Sequence, residues 1–309
     1  MASNHRSNQI YFPPPRGNWE RFDALPTRGF QSAIDHALKN ESLLDRNIQK
    51  ALENRAFAEP PPWGDIIGKT RSREDPHGLI ILNGKVAAKW GDTQRPDITF
   101  SVAKSFLSIC AGLLQDDGLI PDFDAPISDL VNDGGFDSPH NKSITWRQMM
   151  QMTSEWQGSM WGKPDQVDHN RDLNVAPKDN ADKGNERALK SPGAHWEYND
   201  VRVNRLALAL LRVAERPLPD LLRERIMDPI GASNDWEWHG YKNSWVEINN
   251  QNIQSVSGGS HWGGGMFISS EDQARVGYLM LNKGIWNGER LLSEHYVDQA
   301  FAPCNINQD

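Results

Sequence analysis

Cysteine is scarce: Cys110 and Cys304 are the only two in 309 residues, far apart and in no metal-ligand spacing. Neither a disulfide framework nor a zinc cluster is therefore expected to organise the chain, and no metal site is proposed. Long apolar runs are missing too. No stretch of about 18 uncharged apolar residues occurs, which argues against a membrane-spanning helix. The chain has no basic excess, with 33 Lys and Arg against 41 Asp and Glu for a net charge of -8. Nucleic acid is thus not an expected partner. The stretch Met1 to Gly17 is polar and then proline-rich. It lacks the apolar core of a secretory signal, so a cytoplasmic location is expected. There is no G-x-S-x-G, P-loop, G-x-G-x-x-G or H-E-x-x-H pattern, which removes support for lipase-like, nucleotide-binding and zincin readings.

What is present suffices for a large core: 38% of the residues are apolar. Such a length fits one large domain or two lobes. Tryptophan, at 12, outnumbers both Phe and Tyr. Trp156, Trp161, Trp196 and Trp262 fall in loop-like contexts, where they can wall an apolar cleft or simply pack in the core.

Residues 1 to 28 read as an irregular arm. Helices are expected at Phe30 to Lys39 and at Leu43 to Asn54, the second capped by Ser42. Asn83-Gly84 between two apolar runs predicts a hairpin of residues 79–82 and 85–90, since a type I′ turn needs positive φ at both central residues. A helical stripe then runs through Val102, Phe106, Ile109, Cys110, Leu113 and Leu114. Residues 120 to 260 show few strand-like runs and several short helical ones, Trp146 to Met152, Val201 to Ala214 and Leu218 to Met227, with a long polar loop at Gly158 to Ala188. Further helices are expected at Glu271 to Asn282, capped by Ser269 or Ser270, and at Ser293 to Phe301.

The pattern that carries chemistry is Ser101-Val102-Ala103-Lys104, an S-x-x-K at the start of an apolar helix. Spacing of three places hydroxyl and amine on one face, about a turn apart. A hydroxyl needs an adjacent base to become a nucleophile, and a desolvated lysine can serve. The competing view, a capping Ser followed by a solvated Lys, loses ground because the motif follows a hairpin and opens a buried helix.

With this motif the sequence resembles the serine hydrolases related to class C β-lactamases and penicillin-binding proteins. Three further segments carry the likeness: Ile144-Thr145-Trp146 through Thr153-Ser154; Trp196-Glu197-Tyr198-Asn199-Asp200, similar to a Tyr-x-Asn motif; and Gly263-Gly264-Gly265 leading into a late helix. The resemblance implies an α+β fold of the β-lactamase/transpeptidase type, with an antiparallel sheet flanked by helices and a mainly helical lobe. Residues 1–97 and 260–309 would form a discontinuous α/β lobe and residues 98–259 the helical lobe, with the active site between them. Ser101 would be the acylated nucleophile, with Lys104 and Tyr198 as proton-transfer partners. Asn199, Asp200, His261, Trp262 and Gly263 are the substrate-binding candidates. The substrate would be a small ester, amide or β-lactam, the first two favoured by the missing export signal, and no cofactor is implied.

Two departures stand out. Asp200 occupies the position where the family has a neutral amide. A carboxylate facing Lys104 would hold it protonated and shift the base role to Tyr198, unless Asp200 turns away and Asn199 supplies the amide. His261-Trp262-Gly263 has the letters of the family's third motif but stands before the late helix, whereas the family places that motif after it. The family's sheet draws three strands from beyond that helix, and Ala302 to Asp309 are too few for them. The sheet is therefore expected to be incomplete at the C-terminus and activity weak, with an inactive ligand-binding relative as the alternative.

Overall fold

A computed structural model describes residues 10–15, 19–22, 27–54, 56–176, 179–259, 261–304 and 306. Much of the arm expected at 1–28 lies outside these residues. Helix α1 (Thr27–Lys39) precedes α2 (Ile48–Glu53), and the latter corrects the expected helix from Leu43. Its N-cap is Asn47, whose side chain accepts from Lys50 N, while the Ser42 hydroxyl accepts from Leu44 N in the preceding turn.

Strands β1 (Gly78–Leu82) and β2 (Lys85–Trp90) form the expected hairpin. Asn83 and Gly84 both take positive φ, +48° and +80°, as a type I′ turn requires. The hairpin makes a two-stranded sheet, with residues 20–22 bonded to its outer strand through Val86. Short strand β3 (Asp97–Ile98) leads into a 3₁₀ turn (Phe100–Val102) and helix α3 (Ala103–Asp116). Phe106, Ile109, Cys110, Leu113 and Leu114 of the predicted stripe are buried, each large aliphatic or aromatic one worth about 1.5–3 kcal/mol. Val102 is the exception at 45% exposed, because the chain at that point is still in the 3₁₀ turn and out of register with the helix.

Helix α4 (Trp146–Met150) opens with a full capping box, Thr145 with Gln148. The loop after it carries the small hairpin β4 (Ser159–Met160) and β5 (Lys163–Pro164). Helix α5 (Asp200–Ala214) is buried along almost its whole length and packs on α3 and α4. The expected helix at 218–227 is split into α6 (Leu218–Leu222) and one π-helical turn, Arg223–Met227.

The stretch expected to be poor in strands holds the longest one described, β6 (Glu237–Ile248), with its partner β7 (Gln251–Val256). They turn at Asn249-Asn250, both at positive φ. With β8 (Gly265–Ile268) they build an antiparallel four-stranded sheet in the order β3-β8-β6-β7. Helix α7 (Ser270–Leu281), capped by Ser269, then the small hairpin β9 (Ile285–Trp286) and β10 (Glu289–Arg290), and α8 (Glu294–Phe301), capped by Ser293, complete an α+β architecture. No described helix is long and apolar enough to cross a membrane.

Candidate active site

Ser101 is positioned by a strained connection. Thr99 is tied to β8, its N–H and hydroxyl both donating to Met266 O, and the next residue, Phe100, opens the 3₁₀ turn with φ +47°. A bulky residue in the left-handed region is an outlier that the surroundings must hold in place. Gly259 does so: a Cβ there would lie 1.8 Å from Phe100 O, so only glycine admits the chain at this point.

One turn on, the Lys104 amine donates to Ser101 Oγ (3.0 Å) and to Gly258 O (3.2 Å), and pairs with Asp200 Oδ1 at 2.6 Å. Its Nζ also lies 5.0 Å from the Tyr198 ring centre. The structure thus brings Ser101, Lys104, Tyr198 and Asp200 together. It also decides between the two amide options. Asp200 faces Lys104, while Asn199 is the N-cap of α5, accepting from Arg202 N and donating to Asp165 O. Buried at 1% exposure with its amide used in capping, Asn199 does not face the amine as a substrate ligand would.

His261 is buried in a turn rather than set on a strand beside Ser101. Its Nε2 lies 3.0 Å from Arg171 NH2 and its Nδ1 2.7 Å from Glu59 Oε1. A guanidinium only donates, so Nε2 accepts and Nδ1–H donates to Glu59. Trp262, at 1% exposure, is a core side chain whose carbonyl accepts from Ile67 and Gly68 N–H. Gly263 sits against Gly68, so this tripeptide anchors the 67–68 segment. Of the four loop tryptophans, Trp156 and Trp262 are buried, while Trp196 is partly open and lies 6.3 Å from the Tyr198 ring.

Three residues that the motif reading missed complete the site. Arg171 bonds Asp200 Oδ2 (3.2 Å), lies over the Tyr198 ring at 4.8 Å from its centre, and reaches Asp168 at 3.5 Å. Asp168 accepts from Asp200 N (2.8 Å) and pairs with Lys183, which also bonds Glu59. No local pattern marks Arg171, Asp168 or Glu59. For Gly258-Gly259 a signal existed in the paired glycines.

Charge fixes the protonation. Burial alone would lower the Lys104 pKa, but Asp200, followed by Tyr198, more than offsets it and the ammonium is held above its ordinary range. Burial would raise Asp200, and Lys104 and then Arg171 pull it well below the usual carboxylate range. Asp168 goes the other way, pushed up chiefly by burial. The amine on Ser101 is therefore a proton-bearing group, suited to stabilising charge on the hydroxyl oxygen rather than to accepting its proton.

Residues 80–303 match the family model described as Beta-lactamase, and the chain belongs to that family. No curated protein matches it. Among solved structures it is similar to a beta-lactamase candidate from Bacteroides dorei DSM 17855, with 14% identity, a TM-score of 0.57, and coverage of 93% of this chain and 73% of that one. It is also similar to an octameric penicillin-binding protein homologue from Pyrococcus abyssi, with 15% identity and a TM-score of 0.50 over 74% of this chain and 56% of that one. A 6-aminohexanoate-dimer hydrolase candidate from Bacillus anthracis matches at 16% identity and a TM-score of 0.47, covering 72% and 58%. The chain thus spans from just over half to about three quarters of the length of these proteins. At such identities the likeness establishes the β-lactamase/transpeptidase-like fold.

Proposed function

We propose that the protein is a serine hydrolase that forms an acyl-enzyme on Ser101 from a small ester, amide or lactam and releases it to water. The observation that carries this reading is the 3.0 Å hydrogen bond from the Lys104 amine to Ser101 Oγ, in a site where Asp200 keeps that amine protonated. Tyr198, acting as its phenolate beside the Lys104 and Arg171 cations, is then the group left to take the Ser101 proton as Oγ attacks the carbonyl carbon, and as the phenol it returns that proton to the leaving oxygen or nitrogen. Lys104 stabilises the oxygen during that transfer. A water molecule repeats the sequence on the acyl-enzyme, with Tyr198 accepting its proton and Ser101 leaving as the hydroxyl. The family and the fold support a catalytic serine of this kind; the roles rest on the geometry of this site.

The same Asp200–Lys104 pair favours a second reading, an inactive relative that binds a ligand in the cleft. Labelling with a fluorophosphonate probe separates the two. Covalent modification that disappears in Ser101→Ala is expected, and a folded protein that takes no label supports the second reading.

A further inference from the structure

A chain of buried contacts runs from the amine on the nucleophile to a segment far back in the sequence. Lys104 meets Asp200 Oδ1, and Asp200 Oδ2 meets Arg171. Arg171 NH2 donates to His261 Nε2, and His261 Nδ1 donates to Glu59 Oε1, where Lys183 also bonds. All of these side chains except Lys104 and Arg171 are under 9% exposed, and those two are at 13% and 11%. Phe57, two residues before Glu59, stacks on the His261 ring at 4.0 Å and 3°, and its own ring lies 5.8 Å from that of Phe100, the residue that aims Ser101.

We propose that the Glu59–His261–Arg171 chain, seated by Phe57, is a positioning device: it holds Arg171 on one oxygen of Asp200 so that the other oxygen alone faces Lys104. The inference rests on the hydrolase reading given above. Its logic is geometric. A carboxylate with both oxygens on one ammonium would draw the amine off Ser101 Oγ; with Arg171 occupying Oδ2, Asp200 presents a single acceptor and Lys104 keeps its bond to the hydroxyl. Arg171 is itself fixed only if its second nitrogen is held, and the neutral His261 acceptor does that without adding charge. The groups facing Lys104 are Asp200 from α5, Tyr198 and the Gly258 carbonyl; Arg171 stands across Asp200 and the Tyr198 ring from it, and behind them lie Asp168, Lys183, His261 and Glu59. Three carboxylates, Asp200, Asp168 and Glu59, stand against three cations, Lys104, Arg171 and Lys183. Removing Glu59 would leave the cluster one positive charge in excess, and Lys104 would give up its proton at lower pH.

The test follows the pH dependence of fluorophosphonate labelling of Ser101 in the wild-type chain and its variants, with thermal unfolding recorded for each. In Glu59→Gln the alkaline limb, where Lys104 loses its proton, moves to lower pH. His261→Leu slows the labelling rate constant on the order of tenfold with the probe's saturation constant unchanged. His261→Gln restores the wild-type rate, because one amide can accept from Arg171 and donate to Glu59. Phe57→Leu, which removes packing but no charge, leaves the limb in place. The proposal is overturned if Glu59→Gln folds with an unmoved limb, or if His261→Leu and His261→Gln lose rate alike and in step with melting temperature. Wild-type protein that takes no label instead overturns the hydrolase reading itself, and this inference with it.

Discussion

Two buried ionic clusters meet at the start of α5, one through Arg202 and the other through Asp200, and they are built from different cations. In one, Glu155 is fully buried and accepts from Arg187 (2.6 and 2.7 Å) and Arg202 (2.9 Å), while both arginines also pair with Glu197. In the other, Asp200 stands between Arg171 and Lys104. An arginine stays charged throughout the working pH range and forks onto carboxylates in a rigid plane. A cluster of arginines and glutamates is therefore a fixed brace, and this one ties Glu155, whose φ is +51°, to the start of α5. Lysines stand in the second cluster instead, Lys104 and, behind it, Lys183, and Lys104 puts a removable proton at the position that touches Ser101. The contrast teaches that a cluster able to change its charge is placed against the serine, while the cluster that only braces is built from groups whose charge is fixed.

Breaking the brace should give the largest effect. Glu155→Gln leaves Arg187 and Arg202 without their shared counter-charge and is expected to cost about 3–5 kcal/mol in denaturant unfolding, the range for a severed buried pair; a loss below about 1 kcal/mol would contradict the role given to it. The same residue predicts acid behaviour. Burial would raise its pKa, but the Arg187 hydrogen bonds and Arg202 hold it down at about 2 against an ordinary 4.5. A depressed carboxylate contributes stability above its unfolded value, and the contribution fades as pH falls through the folded one. Stability should thus decline from about pH 4.5 towards pH 2, with a shallower decline in Glu155→Gln.

A smaller effect on stability, about 1–3 kcal/mol, is expected for Asp200→Asn, since Lys104 keeps Ser101 and Gly258 and Arg171 keeps Asp168. Its signature lies in titration: the lysine raised by Asp200 falls back, so the alkaline limb of Ser101 labelling moves to lower pH. An unmoved limb would show that Asp200 does not govern the amine. The smallest effect belongs to a pair outside both clusters. Arg225 donates from one nitrogen, NH1, to both oxygens of Asp117 at 2.8 and 2.7 Å, but both side chains are about one-third exposed, and Asp117→Asn should change stability by no more than about 1 kcal/mol.

What could be read from the sequence was local. The Asn83-Gly84 hairpin, the serine cap of α7 and the Ser101–Lys104 spacing each depend on residues within a turn or two of one another. The β6–β7 pair escaped because the register shifts between Gly240 and Trp245, which breaks the two-residue alternation by which a strand is recognised. The Asn249-Asn250 turn was the signal available. Whether Asn199 or Asp200 meets Lys104 is settled by where α5 begins, a boundary of one residue. Arg171 and Glu59 join the site only through tertiary folding, from a polar loop and from a proline-flanked segment, and nothing in their neighbours announces it. The letters of His261-Trp262-Gly263 matched a motif while their burial serves packing and the arginine contact.

The fit between Phe100 and Gly259 has a consequence for how this protein can vary. The Phe100 carbonyl fills the space a side chain at 259 would need, so the two positions, though far apart in the chain, behave as a single inherited unit. A chimera that borrows the Ser101 turn from one relative and the glycine turn from another has to bring both backbones together, or the borrowed serine will be aimed elsewhere.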